Sequence, residues 1–256
     1  MLGTLLAIPV SVGLLVWILR MKRFEPFPKF TLIKLLIAGF AAVTLSGILT
    51  IIGAVINLLI QIGPEQLELM KDAESAAQVL QQIVNTSREL TAQSLLLGFA
   101  RTFILVGLVE EFLKFLFTKI VMRKKGVVNT WMDALLCFAI TAVSFQMIED
   151  VQFSSGSILT VIFRALSPFH FTFAVIMGYF YGLGKVRGNG LYTIAAIVVP
   201  ALIHTMYDFS INLLNRSDQF FSLTLVMLIL MLILTVIMIL KLRKWHREGT
   251  LDIYIY

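Results

Sequence analysis

The sequence predicts an all-α fold: a polytopic membrane helix bundle of about seven transmembrane helices, with an amphipathic helix on the outer surface. Three observations carry this expectation. Apolar residues fill 59% of the 256 positions and charged residues only 14%, with a mean hydropathy of +0.92, a balance foreign to water-soluble domains of this size. Apolar runs recur at the length that crosses a bilayer, about 20 residues for a ~30 Å hydrocarbon core. Lysine and arginine collect after alternate runs, as the positive-inside rule expects.

The first run, 2–20, is followed by Arg20-Met21-Lys22-Arg23 and Lys29. It lacks a basic leader and carries its positive charge afterwards, so it reads as an uncleaved anchor and not as a secretory signal peptide. The second and third runs, 31–62 and 94–122, exceed the span required, which implies tilt or ends that leave the bilayer. Between them, residues 64–93 hold five acidic and two basic residues. There Leu67, Met70, Val79, Leu80, Ile83 and Val84 recur near helical spacing after Gly63-Pro64, predicting an amphipathic helix at the outer interface. The remaining runs are 128–149, 157–183, 190–214 and 220–241.

Arg123-Lys124-Lys125 follows the third run, Lys185 and Arg187 the fifth, and Lys241, Arg243, Lys244 and Arg247 the seventh, whereas Glu149-Asp150 closes the fourth. Every basic cluster falls on one side, which puts the N-terminus outside and the C-terminus in the cytoplasm of a multi-pass plasma membrane protein. The net charge of +6 thus encodes orientation, and no nucleic-acid partner is expected. Cys137 is the sole cysteine; an intramolecular disulfide is excluded, and its apolar setting marks a small buried hydrophobe. With no repeat, low-complexity tract or second domain, residues 1–256 read as a single integral-membrane domain, of which 64–93 form an extracytoplasmic loop.

Four polar patterns interrupt the apolar runs: Glu110-Glu111-x-x-Lys114, Phe145-x-x-x-Glu149, His170 with Gly178 eight residues on, and His204-x-x-x-Asp208. An ionisable group at bilayer depth costs several kcal/mol unless paired or hydrated, and so marks a functional site. Glu110 and Lys114 lie one helical turn apart, with Glu111 about 100° round yet still within i,i+3 reach of Lys114. Adjacent carboxylates in low dielectric do not both ionise easily, which suits them to giving and taking a proton; a plain structural ion pair to Lys114 is the competing reading. Asp208 stands i+4 from His204, placed either to orient the imidazole or to join it as a metal ligand. Pro168 and Pro200 lie close before the two histidines, where a missing N–H favours a bend and a hydrated pocket. His170 falls midway along its predicted run and Glu149 at the outer end of another. The remaining His246 sits in the basic Trp245-His246-Arg247 tail and reads as an interfacial residue.

In this order and on successive runs, the four patterns resemble the PrsW-type intramembrane proteases, relatives of the CaaX-processing endopeptidases and bacteriocin-immunity proteins. The resemblance covers about 94–214, the expected catalytic core. It implies hydrolysis of a membrane-anchored substrate, typically an anti-sigma factor cleaved on its extracytoplasmic side in a bacterium. As a metalloprotease, the chain would hold Zn²⁺ through His170 and His204 with Glu149 or Asp208, and Glu110 or Glu111 would activate water. As a glutamate-dependent hydrolase of the CaaX type, it would use Glu110 directly, with His204 and Asp208 stabilising the oxyanion. Glu149 stands where those relatives often carry histidine, and no H-E-x-x-H is present. A proton-coupled transporter or a non-catalytic scaffold would also bury such groups, although no repeated halves mark a transporter.

Overall fold

The computed structural model describes residues 2–21, 27–28, 30–88, 91–152 and 167–255. The chain runs α1 (Leu2–Leu19), α2 (Thr31–Gln61), α3 (Pro64–Leu69), α4 (Ala73–Arg88), α5 (Ala92–Thr102), a π-helical turn (Phe103–Gly107), α6 (Leu108–Met122), α7 (Trp131–Gln152), α8 (Phe169–Arg187), α9 (Gly190–Leu214) and α10 (Phe221–Glu248). Among the described residues there is no strand, and one isolated antiparallel bridge joins Thr130 to Tyr254.

Five stretches are long and apolar enough to cross a membrane: Thr31–Gln61, Ala92–Met122, Trp131–Gln152, Gly190–Leu214 and Asp218–Glu248. In α1 the apolar stretch Ile8–Leu19 is shorter, and α8 is not among the five, so the bundle is firm while the expected count of seven crossings is not reached on this measure. Outward faces are hydrophobic: Ile33, Ile37 and Phe40 on α2, and Leu230, Ile233 and Ile237 on α10, are all exposed. In a chain of this composition such contiguous apolar surface faces lipid.

At the centre stands α7, buried over 89% of its most apolar window and packed against α8, α2, α1 and α6. Its neighbours approach closely because they present glycine. A Cβ on Gly39 of α2 would meet the Thr141 carbonyl and Ser144, and one on Gly178 of α8 would meet the Leu135 backbone. Ser144 Oγ donates to the Leu36 carbonyl at 2.7 Å and Trp131 Nε1 to the Gly178 carbonyl at 3.2 Å. Small-residue packing with interhelical hydrogen bonds is how helices associate where lipid removes the hydrophobic drive.

Three expectations change. The outer segment contains two helices where one was predicted. Pro64 opens α3, and Asp72 restarts the chain as α4 by accepting from the Ser75 and Glu74 amides at 2.8 and 3.0 Å; these donors, Ser75 foremost, hold the exposed Asp72 carboxyl below its usual range. The side chain of Val84 lies outside the described residues. The third span carries a π turn that its composition does not announce. His170 lies in the first turn of α8, not midway along a helix: Pro168 is the N-cap, its ring nitrogen has no proton to give an earlier carbonyl, and 157–166 of the predicted run fall outside the described residues.

The C-terminal tail folds back on the start of α7. The Trp131 and Met132 amides donate to the Ile253 and Leu251 carbonyls, both at 2.9 Å, and the Ile255 amide donates to the Asn129 carbonyl at 3.1 Å. Helix starts leave amides without intrahelical partners, and here a distant strand-like segment accepts two of them.

Candidate active site

Position along each helix decides which polar groups can meet. Glu110 and Glu111 lie in the first turn of α6, Glu149 in the last turn of α7, His170 in the first turn of α8, and His204 with Asp208 in the second half of α9. The π turn directly precedes the glutamates. Gly107 allows the turn to touch α9, because a Cβ there would collide with Thr205 and the Ala201 carbonyl. On the other side Thr50 Oγ1 of α2 donates to the Leu105 carbonyl at 3.0 Å, satisfying backbone that a π turn disturbs.

Glu111 and Lys114 are the buried pair of α6, 0% and 2% exposed, with Nζ 2.6 Å from Glu111 Oε1. Lys114 also reaches His170 Nδ1 at 2.8 Å and lies 4.4 Å from the Phe145 ring centre. The opposite nitrogen of His170, Nε2, is 2.6 Å from Glu149 Oε2. His204 is held likewise from both sides, Nδ1 at 3.1 Å from Glu111 Oε1 and Nε2 at 3.1 Å from Asp208 Oδ2. Glu110 Oε2 stands 4.0 Å from His204 Nε2. The two imidazoles meet edge to face with centres 5.2 Å apart.

The structure therefore brings Glu110, Glu111, Lys114, Glu149, His170, His204 and Asp208 into one cluster. Lys114 pairs with Glu111, where a shared helical face had suggested Glu110; Glu110 turns instead towards His204. Gly178 stands apart from this chemistry and serves the α7–α8 contact. His246 lies at the far end of α10.

Sequence reasoning missed several lining groups. Phe173 stacks on His204 with centres 5.1 Å apart and 24° between planes, and Gln146, Asp150, Ser167, Phe169 and Tyr207 line the same cleft as Glu149, both histidines and Asp208. Their signal was positional: Phe173 is i+3 from His170, and Gln146 is i−3 from Glu149. The cleft holds about 30 Å³, room for water but not for a peptide segment.

Metal donors can be sought by proximity. Among the described residues, Glu110, His170 and His204 each offer a ligand atom, all within 4.8 Å of one another. Glu110 Oε2 and Glu111 Oε2 are buried without a hydrogen-bond partner among the described residues. Two imidazoles with one carboxylate is a donor set of catalytic zinc sites, so these residues fit such an ion.

Comparison with known proteins matches residues 28–238 to the PrsW family intramembrane metalloproteases. The chain belongs to this family. Among its relatives are Protease PrsW of Geobacillus kaustophilus, 26% identical over 129 residues (48% of this chain and 57% of that protein), and Protease PrsW of Clostridioides difficile, 31% identical over 119 residues (42% and 50%). Protease PrsW of Oceanobacillus iheyensis is 26% identical over 159 residues (60% and 71%). The chain spans little more than half the length of the Geobacillus relative. No solved structure matches. The PrsW match encloses the whole cluster and stops short of the chain ends on both sides.

Proposed function

We propose that this chain is an intramembrane endopeptidase that hydrolyses a peptide bond in a membrane-anchored protein, using water activated in the cleft between α6, α7, α8 and α9. The observation that carries this reading is the convergence of two histidines, four carboxylates and a lysine, drawn from four helices, around one small cleft. Such groups are costly at bilayer depth, and together they are the parts list of water activation.

In the metal-dependent version, His170, His204 and Glu110 would hold Zn²⁺. When bound, the ion would supply Lewis acidity. Glu111, fixed by Lys114, orients His204 through Nδ1, the outer-shell arrangement that sets a ligating ring. Glu149, at the cleft, takes the proton from water and returns it to the leaving amine. Nε2 of His204, 3.1 Å from Asp208 in this structure, would be the nitrogen given over to the ion.

One observation favours a second version without metal: both nitrogens of His170 and of His204 already have protein partners. With Lys114 donating to Nδ1 of His170, Nε2 carries the proton that points to Glu149, and a protonated nitrogen is no ligand. Here Glu110, with a free oxygen, acts as the general base, while His204 and Asp208 stabilise the oxyanion.

The substrate class follows from the family resemblance: a single-pass protein such as an anti-sigma factor, cut near the outer face. The basic clusters support an N-terminus outside and a C-terminus in the cytoplasm, with 64–93 outside and 94–214 as the catalytic core. The test is cleavage of a single-pass substrate by the purified chain in liposomes, with Glu110→Gln as control. Equal cleavage by wild type and control would reject the assignment of Glu110, and no cleavage of any single-pass substrate tried would leave the protease reading without support.

A further inference from the structure

A second polar feature lies at the opposite end of the molecule, outside the family match. The last turn of α1 with the residues that follow it, and the last turns of α10, enclose a cavity of about 510 Å³ lined by Trp17, Arg20, Met21, Leu240, Arg243, Lys244, His246 and Arg247. The cations come from segments more than two hundred positions apart in sequence, so the fold, not local composition, assembles them. Among the described residues the side chains of Arg20, Arg243 and Lys244 form no ion pair or hydrogen bond, and Arg247, 80% exposed, pairs with Glu248 at 3.9 Å. Nδ1 of His246 is buried without a hydrogen-bond partner among the described residues. Like charges gathered around a cavity repel unless an anion joins them.

The lining also changes character. Trp17 and Leu240 belong to the apolar parts of α1 and α10 and Met21 follows α1 directly, while the cations stand at or just past the helix ends. Tryptophan at this level marks the headgroup zone, and Leu240 is 57% exposed beside it. A soluble anion would use only the charged half of such a site. An anionic phospholipid uses both, with the phosphate between Arg20, Arg243 and Lys244 and the glycerol and first methylenes against Trp17, Met21 and Leu240.

We infer that this cavity is a binding site for the phosphate of an anionic phospholipid, clamped between α1 and α10. Basic pockets between transmembrane helices are a recognised place for acidic headgroups. The site is independent of the cleft chemistry; the proposed topology decides only that the lipid comes from the cytoplasmic leaflet.

Native mass spectrometry of the full chain in detergent, titrated with phosphatidylglycerol or phosphatidylcholine, tests the inference. Wild type is expected to retain phosphatidylglycerol and not phosphatidylcholine, and millimolar inorganic phosphate should not displace it. Arg243→Gln with Lys244→Gln should weaken retention by on the order of tenfold, and Arg20→Gln, on the other wall, should weaken it alone if the double variant fails to fold. Lys124→Gln with Lys125→Gln removes as much charge elsewhere and should leave retention unchanged. Undiminished retention in the cavity variants, equal loss in the Lys124/Lys125 variant, or equal retention of phosphatidylcholine would overturn the site. Displacement by inorganic phosphate would make it a site for soluble anions and overturn the lipid assignment.

Discussion

The ammonium of Lys114 lies 2.8 Å from Nδ1 of His170, across two helices and 56 positions of sequence. Because the same ammonium holds Glu111, which in turn contacts His204, one cation fixes both histidines. Removing it leaves the buried Glu111 carboxylate without its cation. Lys114→Met is therefore expected to cost about 3–5 kcal/mol in stability, and Glu111→Gln a similar amount by stranding the lysine. Adding Glu111→Gln to Lys114→Met should recover much of the loss, because no buried charge remains unpaired; thermal unfolding of the four proteins in one detergent checks this, and strict additivity would refute the coupling.

Glu110→Gln should behave otherwise. Its side chain has only the 4.0 Å approach to His204 to lose, so folding should hold while cleavage falls by at least about 10²-fold. Turnover of a single-pass substrate alongside a melting curve separates the two effects, and a poorly folded Glu110→Gln protein would argue that Glu110 is structural.

Metal analysis of purified variants separates the two proposed mechanisms. If His170, His204 and Glu110 hold zinc, wild type should carry about one ion per chain and His204→Ala essentially none. An active wild type that stays metal-free after chelation would select the glutamate-dependent version.

Gly178 is a packing residue in this structure. Gly178→Ala should press a methyl group into the Leu135 backbone and cost about 1–3 kcal/mol, lowering the melting temperature. A variant with wild-type stability would mean that α7 and α8 can separate freely.

A reporter fused after Gln93 should read extracytoplasmic, and one fused after Arg187 cytoplasmic. The reverse pattern would invert the side on which cleavage is proposed.

The helix bundle and the ionisable residues that cluster in it were legible in the sequence because both are written in local composition: apolar runs, five of them of crossing length in the structure, and ionisable residues that interrupt such runs. What stayed hidden depends on contacts between distant segments. The choice of Glu111 over Glu110 as partner of Lys114 is made by which side of α6 faces α8 and α9. Phe173 looked like one more apolar residue until His204 was placed beneath it. The start of α8 at Phe169 was masked by the apolar residues before Pro168, and the docking of the tail on Trp131 and Met132 has no sequence signal at all.

The π turn at Phe103–Gly107 acts as a phase shifter. Each residue of an α-helix advances the side-chain direction by about 100°, and a π turn accommodates one residue beyond the α count. The third span is thus two rods keyed out of step, α5 free to match its own surroundings while α6 presents Glu111 and Lys114 inwards. Winding residues 103–107 as continuous α-helix with none of them removed would swing one rod by roughly that angle against the other. The apolar character of the span would survive intact, and the carboxylates would point at the wrong neighbours.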